Sequence, residues 1–252
     1  MANLVPYGPP RDASLDGHLV DGAFAYLTVA TTICLAIVVL VLAIALLFHR
    51  RRAGRVAHYT HGDRRRDHVL TLGVAITMFL GVDAVLAGRS LGHLEGRFWS
   101  YPDANDPATV RVEVTARQWA WVFRLPGPDG RFGTRDDVVT LNELRVPAGR
   151  PIYLKLHSKD VIHSLYLPAF RTKIDAVPGT TTRLWFQARE PGRYELGCAQ
   201  HCGVSHYKMR GELFALPNDE WRAWADRAAE DGRLRYDTSA DVALDAWDWD
   251  QG

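Results

Sequence analysis

Two thiols, an imidazole and a thioether lie within one short stretch of this chain, residues 198–209. The side chains belong to Cys198, Cys202, His206 and Met209. Thiolate and thioether sulfurs are soft ligands that select copper, and imidazole nitrogen also suits this metal. A mononuclear blue-copper site needs one cysteine, two histidines and a weak axial methionine. The second cysteine therefore indicates that one loop can offer two sulfurs to the same place, where they can bridge two copper ions.

The remaining histidine ligand has to come from another part of the chain. His163 is the candidate, because it lies in an Asp-Val-Ile-His-Ser sequence that is typical of the end of a strand. Two other interpretations stay open. Two cysteines in an oxidising compartment can form a disulfide, and two cysteines with two histidines can hold structural zinc. Neither has a use for Met209, so the residue types favour copper.

The spacing Cys-x3-Cys-x3-His-x2-Met, after the upstream Asp-Val-Ile-His-Ser, resembles the binuclear copper A site of cytochrome c oxidase subunit II. The resemblance extends from about residue 21 to about residue 224. It implies that two copper ions share both thiolates and delocalise one electron, while His201 lies at no ligand position. The implied ligands are His163, Cys198, Cys202 and Met209 for one copper, and Cys198, Cys202, His206 and the backbone carbonyl of Gln200 for the other.

The same resemblance implies an activity and partners. A subunit II accepts single electrons from cytochrome c and passes them to haem in subunit I, where oxygen is reduced, and subunit III is a further neighbour. The aromatic segment 118–121 is similar to that of the family, although Ala120 stands where relatives have tyrosine. Its first tryptophan, Trp119, is the implied site at which electrons arrive. The alternative is that Trp119 and Trp121 only fill the core or the membrane interface.

Gln200 is a departure from the family pattern. Most relatives have glutamate there, and its side chain reaches a magnesium ion at the contact with subunit I. Magnesium prefers carboxylate and water oxygens, so the neutral amide of Gln200 is expected to weaken this site. Two other functions remain as alternatives. A copper-free quinol oxidase subunit II is disfavoured by the intact ligand set, and a membrane protein for copper storage or delivery is disfavoured by the aromatic segment and the helix hairpin.

Two apolar runs, 23–48 and 67–91, are each long enough to span a bilayer, which takes about 20 residues. The loop 49–66 between them is rich in arginine, and the positive-inside rule places it in the cytoplasm. The N-terminal arm 1–22, the C-terminus and the copper motif are then expected on the periplasmic side of a bacterial inner membrane. A signal peptide is the alternative for the first run, but the run is too long for one. Nucleic-acid binding is the weaker interpretation of the arginines, and no nucleic acid is expected as a partner.

Two carboxylates lie in the second apolar run. Asp67 opens it and resembles the carboxylate at the mouth of a proton channel in this family, although the usual neighbouring Glu and Trp are absent. The alternative is an aspartate favoured by the positive end of the helix dipole. Asp83 lies deeper, where a carboxylate is costly and tends to be functional, and its role stays open.

The hydrophobic pattern changes to a period of two from Val110 onward. Many short alternating segments separated by Pro and Gly turns predict a β-sandwich or barrel, so 92–216 is expected to form a cupredoxin-like Greek key. The fold class is therefore an α+β membrane protein, with a two-helix transmembrane hairpin before the β domain. Residues 217–252 are predicted to form a C-terminal helix and an acidic tail.

The charge of the β domain bears on its electron donor. After Leu91 the chain has 21 basic and 23 acidic residues, and five of the acidic ones are aspartates of the tail. The remaining body is slightly positive, which predicts weak electrostatic steering of a basic cytochrome c. The exception would be a local acidic patch formed by Asp160, Asp175 and Glu195.

Overall fold

The computed structural model describes residues 8–50, 53, 54, 56, 59 and 61–235. The predicted acidic tail therefore lies outside the described residues, as do several arginines of the loop 49–66. The chain divides into two compact units. One comprises Leu19–Trp99, and the other comprises Met1–His18 together with Ser100–Gly252.

The first unit is helical. Helix α1 spans Gly17–Phe48, and a second long helical stretch spans Arg65–Phe98. Both are long and apolar enough to cross a membrane, and both extend beyond the apolar runs 23–48 and 67–91 because the helical hydrogen bonds continue into the polar flanks. The second stretch consists of α2 (Arg65–Met78), a π-helical turn (Phe79–Asp83), α3 (Ala84–His93) and a second π-helical turn (Leu94–Phe98).

Contacts between the two helical stretches show that they pack as a hairpin. The Tyr26 hydroxyl of α1 donates a hydrogen bond to the carbonyl of Gly81 in the first π-helical turn. The guanidinium of Arg89 lies 5.5 Å from the centre of the Tyr26 ring. Further along α1, the Cys34 Sγ atom lies 3.7 Å from the Met78 Sδ atom. Later positions of α1 therefore meet earlier positions of the second stretch, so the two helices run antiparallel.

The second unit is a β-sandwich. Within the described residues it has two five-stranded sheets, with strand orders β3-β2-β1-β5-β8 and β4-β10-β9-β6-β7. Strand β1 is parallel to β5 and strand β4 is parallel to β10, while the other pairings are antiparallel. The strands are β1 (Val110–Arg117), β2 (Ala120–Leu125), β3 (Val138–Leu141), β4 (Glu143–Pro147), β5 (Pro151–Ser158), β6 (His163–Leu167), β7 (Thr172–Ala176), β8 (Thr182–Gln187), β9 (Gly192–Cys198) and β10 (Arg210–Leu216).

A single hydrophobic core fills the space between the two sheets. Alternate residues of β1, such as Val112 and Val114, point into it and are fully buried, as the period of two predicts. Trp121 of β2 and Leu165 of β6 reach the same core from opposite sheets. The predicted hairpin followed by a β-sandwich is therefore confirmed. Helix α4 (Asn218–Arg235) covers one side of the sandwich, where the Trp221 Nε1 atom donates to the carbonyl of Arg145 at 3.1 Å.

The N-terminal arm belongs to the β unit. The Ala13 amide donates to the carbonyl of Ala169, the Arg189 amide donates to the carbonyl of Ala13, and the Leu15 amide donates to the carbonyl of Gln187. Ala13 is buried, and Ser14 forms a β-bridge with Ala188. Backbone groups at and beyond the end of β8 pair with this arm, so residues 12–15 extend the edge of the first sheet.

A buried cluster of charges lies on the face of the first sheet that points away from the core. Arg124 of β2 has its NH1 atom 3.4 Å from Glu113 Oε2 and 3.4 Å from Asp137 Oδ2, and all three side chains are less than a tenth exposed. Burial raises the pKa of Asp137, although the Gly133 amide and the Arg124 guanidinium both lower it. The segment 126–137, which joins β2 to β3, contributes Asp137 to this cluster, so the ion pair with Arg124 ties the segment to the sheet.

Candidate metal centre

The loop that carries most of the predicted ligands is closed at its base by two adjacent strands. Strand β9 ends at Cys198 and β10 begins at Arg210, directly after Met209. In the antiparallel register Gly197 pairs with Arg210, and the Cys198 amide donates to the carbonyl of Met209 at 3.0 Å. The first and last ligand-bearing residues of the loop are therefore held side by side by the sheet.

His163 reaches the same place because β6 is the other neighbour of β9. It is the first residue of β6, and Leu165 pairs with Cys198 across the two strands. The Ala199 amide donates to the carbonyl of Ser164 at 2.9 Å, which ties the start of the loop to β6. The strand order β10-β9-β6 therefore brings the ligand-bearing ends of three strands to one end of the second sheet.

The two cysteine sulfurs and a histidine nitrogen form a compact cluster. One ligand atom each from His163, Cys198 and Cys202 can be chosen so that all lie within 4.8 Å of one another. The two Sγ atoms are 3.8 Å apart, almost twice the length of a disulfide bond, which is about 2.05 Å. Ligands that bind one metal at about 2.0–2.3 Å have mutual separations of this order.

The other predicted ligand atoms lie against this cluster. The Met209 Sδ atom is 3.1 Å from His163 Nδ1 and 3.7 Å from Cys202 Sγ, and both Met209 and His163 are almost fully buried. The His206 Nδ1 atom is 3.5 Å from Cys202 Sγ. The backbone oxygen of Gln200 is 3.1 Å from Cys198 Sγ. Two thiols, two imidazoles, a thioether and a carbonyl thus converge on one place.

Asp160 orients His163. Its Oδ1 atom accepts a hydrogen bond from His163 Nε2 at 2.8 Å, which leaves Nδ1 directed at the sulfurs. Burial disfavours the Asp160 carboxylate, but hydrogen bonds from the Gln118 amide and the His163 ring outweigh burial and lower its pKa. A carboxylate behind a ligating imidazole fixes the ring and raises its basicity. His157, which lies six residues before His163 and was a further candidate to support its ring, is in β5 opposite Thr115.

The electrostatics of the sulfur pair fit a bound cation. Burial, and then the neighbouring Cys198 thiol, raise the pKa of Cys202 to about 12. Two thiolates so close together in a partly buried site repel each other and are poorly solvated, so a positive ion is needed to hold both deprotonated. The thioether of Met209 is a ligand that copper accepts and that structural zinc sites do not use. The donor set therefore fits copper better than zinc or a disulfide.

Trp119 touches the backbone of a predicted ligand. Its Nε1 atom donates to the carbonyl of Cys202 at 3.2 Å, and the Gln118 Nε2 atom donates to the same carbonyl at 2.8 Å. Gly203 makes this approach possible, because it has a φ of +116° and an added Cβ would lie 2.8 Å from Gln118 Nε2. The aromatic segment and the loop of candidate ligands are thus in direct contact.

Comparison with known proteins identifies the family. The sequence-family model for the periplasmic domain of cytochrome c oxidase subunit II matches residues 97–211 of this chain. The alternative cytochrome c oxidase subunit 2 of Bradyrhizobium diazoefficiens is 33% identical over 214 residues, which cover 75% of this chain and 73% of that protein. The chain belongs to the cytochrome c oxidase subunit II family.

Another curated relative and a solved structure are also similar to this chain. Cytochrome c oxidase subunit 2 of Cereibacter sphaeroides is 27% identical over 241 residues, covering 84% of this chain and 75% of that protein. The crystal structure of the periplasmic domain of subunit II of cytochrome oxidase from Bradyrhizobium japonicum has 26% sequence identity and a TM-score of 0.45, and the match covers 52% of this chain and 97% of that one.

Membership of the subunit II family settles the general role. The chain is a membrane-bound subunit of a haem–copper oxidase, an oxidoreductase complex of electron transport, and its β domain is of the cupredoxin-like subunit II type. The role of a cytochrome c oxidase subunit II is better supported than that of a copper-free quinol oxidase subunit or of a copper-storage protein, because the family match and the His–Cys–Cys cluster occur together.

The remaining candidate residues lie outside the cluster or beside it. Asp67 is in the first turn of α2, in the first, helical unit, and its Oδ1 atom is 3.5 Å from Arg66 Nε. Asp83 ends the first π-helical turn. His201 is exposed, and its ring centre is 5.6 Å from that of His206.

Two residues beside Trp119 contribute more to the candidate metal centre than the sequence predicts. Trp121 is completely buried, and its ring centre lies 6.1 Å from that of His163, so this tryptophan packs against the His163 ring. Gln118 bonds to both Asp160 and Cys202. The only signal for either residue was its place beside Trp119 in the aromatic segment.

Proposed function

We propose that this chain holds a binuclear copper A centre, receives single electrons from cytochrome c and passes them to haem in subunit I. The observation that carries the proposal is the convergence of His163, Cys198 and Cys202 within 4.8 Å, with the Met209 thioether against them. When bound, the copper pair would supply a delocalised one-electron acceptor. Its proposed ligands are His163, Cys198, Cys202 and Met209 on one ion, and Cys198, Cys202, His206 and the Gln200 carbonyl on the other.

The role of the protein at this centre is to hold the ligands still. Adjacent strands fix Cys198, Met209 and His163, so these ligands have little freedom to move when an electron arrives. Asp160 keeps the His163 ring in one orientation. Burial of Cys202 and Met209 keeps water away from the sulfurs. Such preorganisation is what a site for rapid electron transfer requires.

The test of this proposal is metal analysis of the full chain purified from membranes. We expect two coppers per chain, an electron spin shared by both nuclei, and co-purification of a haem-containing partner. One copper per chain, zinc in its place, or a spin on a single nucleus would contradict the proposal. A chain that carries copper but purifies without a haem protein would favour copper storage instead.

We propose Trp119 as the residue at which electrons arrive, because its indole nitrogen is hydrogen-bonded to the carbonyl of Cys202. We expect Trp119→Ala to slow reduction of the site by cytochrome c at least about tenfold, which corresponds to about 1.4 kcal/mol of barrier. Copper content should stay unchanged, because Trp119 provides no ligand. Rapid mixing with reduced cytochrome c measures the rate. Trp185→Ala, a change at a half-buried tryptophan of β8, is the control and should leave the rate as it is.

We propose that magnesium binds weakly where this chain meets subunit I. The backbone oxygen of Gln200 faces Cys198, so copper binding depends on the carbonyl and not on the type of side chain. Magnesium affinity depends on the side chain, because an amide oxygen carries no net charge. We expect Gln200→Glu in the assembled oxidase to bind magnesium at least several-fold more tightly, at the same copper content. Equal affinity in a magnesium titration of the two proteins would contradict this.

We propose that the loop 49–66 is cytoplasmic, that both termini and the β unit are periplasmic, and that Asp67 marks a site of proton uptake. The support is the arginine content of the loop and the position of Asp67 in the first turn of α2. We expect Asp67→Asn to lower steady-state oxygen consumption of the assembled oxidase by a factor of about two or more. Asp63→Asn, an exposed carboxylate just outside the helix, is the control. Equal turnover in both variants would rule out the role of Asp67.

A further inference from the structure

We propose that the surface around the metal centre is built for an electron donor whose docking face is acidic. This inference rests on the proposed function, since it assumes that a soluble electron carrier docks where the aromatic segment meets the ligand loop. The relevant residues lie next to the ligands in sequence. They form an apolar centre, Val161, Ile162, Val204 and Tyr207, and a basic rim, Arg117, Lys159 and Lys208.

The apolar centre is exposed to an unusual degree for residues beside a metal site. Val204 is 84% exposed and Tyr207 is 65% exposed, both within the ligand loop. Val161 and Ile162, which precede the ligand His163, are 38% and 43% exposed. Protein interfaces typically have an apolar centre surrounded by polar and charged residues. Exposed apolar side chains on two ligand-bearing segments therefore indicate a docking surface.

Each member of the basic rim directly precedes a residue that builds the site. Arg117 precedes Gln118, Lys159 precedes Asp160, and all three rim residues are exposed. Lys208 precedes the ligand Met209, and its Nζ atom lies 5.5 Å from the centre of the Tyr207 ring. The Lys159 amide donates to the carbonyl of Ala116, which keeps Lys159 beside the end of β1 and hence near Arg117. Two of the cations thus lie beside the segment of Val161 and Ile162, and the third lies beside Tyr207 in the ligand loop.

Two of the three carboxylates that could make this surface acidic have a hydrogen-bonding or basic partner. Asp160 accepts hydrogen bonds from the Gln118 amide, the Val161 amide and the His163 ring, so its charge serves the site. Glu195 lies 4.0 Å from Arg210 in an exposed pair. Asp175 is an exposed residue of β7, two positions after the exposed Lys173. The acidic patch of these three residues stays a prediction, and the salt dependence described below tests it.

An exposed apolar centre with a basic rim is complementary to a partner whose docking face has an apolar centre and an acidic rim. Charge complementarity steers two proteins together and raises the association rate, and it weakens as salt screens the charges over about 10 Å at 0.1 M. A lysine-rich donor would instead be repelled by this rim, and its reaction would become faster as salt is added. The sign of the salt dependence therefore reports the charge of the preferred donor.

The first experiment needs no substitution in this chain. The probes are one soluble c-type cytochrome with a lysine-rich haem edge and the same cytochrome with its lysines succinylated, which makes that edge acidic. With the assembled oxidase, we expect the succinylated form to reduce the copper about tenfold faster at low salt, with a rate that falls as salt is added. Its dissociation constant in the oxidised state, measured without turnover, should rise with salt in the same way.

The second experiment assigns the effect to the rim. Lys159→Glu should lower the low-salt rate with the succinylated probe several-fold, and the combined change of Arg117, Lys159 and Lys208 to Glu should reverse the preference between the probes. Lys173→Glu, the same change on β7, is the matched control and should have little effect. Copper content and spectrum are checked in every variant. Repeating the series on a chain that ends at Arg235 removes the five tail aspartates from the comparison.

The outcomes separate the two proposals. Faster reaction of the lysine-rich form at low salt, or equal effects of Lys159→Glu and Lys173→Glu, would overturn the acidic-donor inference and leave the proposed function standing. If neither probe reduces copper that ascorbate does reduce, then the role as electron acceptor from a soluble cytochrome fails, and the inference fails with it.

Discussion

Replacing Cys202 with serine is expected to abolish the paired copper site. A serine hydroxyl is a hard, weakly acidic ligand that does not bridge two copper ions as a thiolate does. The Cys202 Sγ atom also lies within 3.8 Å of three other predicted ligand atoms, those of Cys198, Met209 and His206, so its loss affects both metal positions. We expect copper content to fall from two per chain to one or none, with loss of the shared-spin signal. Cys198→Ser should do the same.

Two control variants sharpen this expectation. Cys34→Ser removes the other thiol of the chain, which lies in α1, and should leave copper content and spectrum unchanged. Met209→Leu should keep two coppers and mainly shift the reduction potential, because an axial thioether is a weak ligand. A Cys202→Ser protein that retained two coppers with a shared spin would show that the thiolate bridge is not the basis of the site.

Replacing Arg124 with methionine is expected to cost about 3–5 kcal/mol of stability. The change leaves the carboxylates of Glu113 and Asp137 buried on the outer face of the first sheet without the guanidinium that lies 3.4 Å from each. Methionine fills much of the same space, so the loss comes chiefly from electrostatics and not from a cavity. For a domain of this size the corresponding fall in melting temperature is roughly 10 °C. Thermal unfolding of the detergent-solubilised, metal-free chain measures it.

The matched control is Arg11→Met, the same substitution in the exposed ion pair with Glu190. Such surface pairs contribute little, because solvent screens the charges and the side chains stay mobile. The melting temperature should therefore be unchanged within error. The combined substitution Glu113→Gln with Arg124→Met should recover part of the loss, because it removes the charge of one of the two carboxylates that have lost the guanidinium. Equal melting temperatures for Arg124→Met and Arg11→Met would contradict this account of the buried cluster.

The net charge that composition gives does not describe how the charges are distributed over the surface of the β domain. A small positive balance over the whole body predicts only weak steering. The structure distributes these charges unevenly, because the outward face of the second sheet pairs Arg193 with Glu212 and Arg210 with Glu195. At the metal end, the exposed cations Arg117, Lys159 and Lys208 lie in the segments that carry the candidate ligands, and Asp160 lies beside Lys159. Net charge is a sum over the chain, whereas a donor responds to the local field.

The amino-acid sequence by itself determined the chemistry of the candidate site. Two cysteines, two histidines and a methionine at family spacing are local information, and so are the period of two from Val110 and the apolar runs that became helices. These features depend on residue type and on neighbours within a few positions, so they can be recognised without knowing the fold. The copper-selective donor set and the hairpin followed by a β-sandwich both followed from them.

Only the tertiary structure decided which residues from distant parts of the chain come together at the candidate metal centre. The strand order β10-β9-β6 brings His163 to the loop, and the loop between β5 and β6 brings Asp160 to both His163 and Gln118. Neither the pairing of Glu113 with Arg124 nor the addition of residues 12–15 to the edge of a sheet leaves a mark in local sequence. These contacts join residues far apart in the chain, and they exist because burying one common core leaves a single register in which the strands can pair.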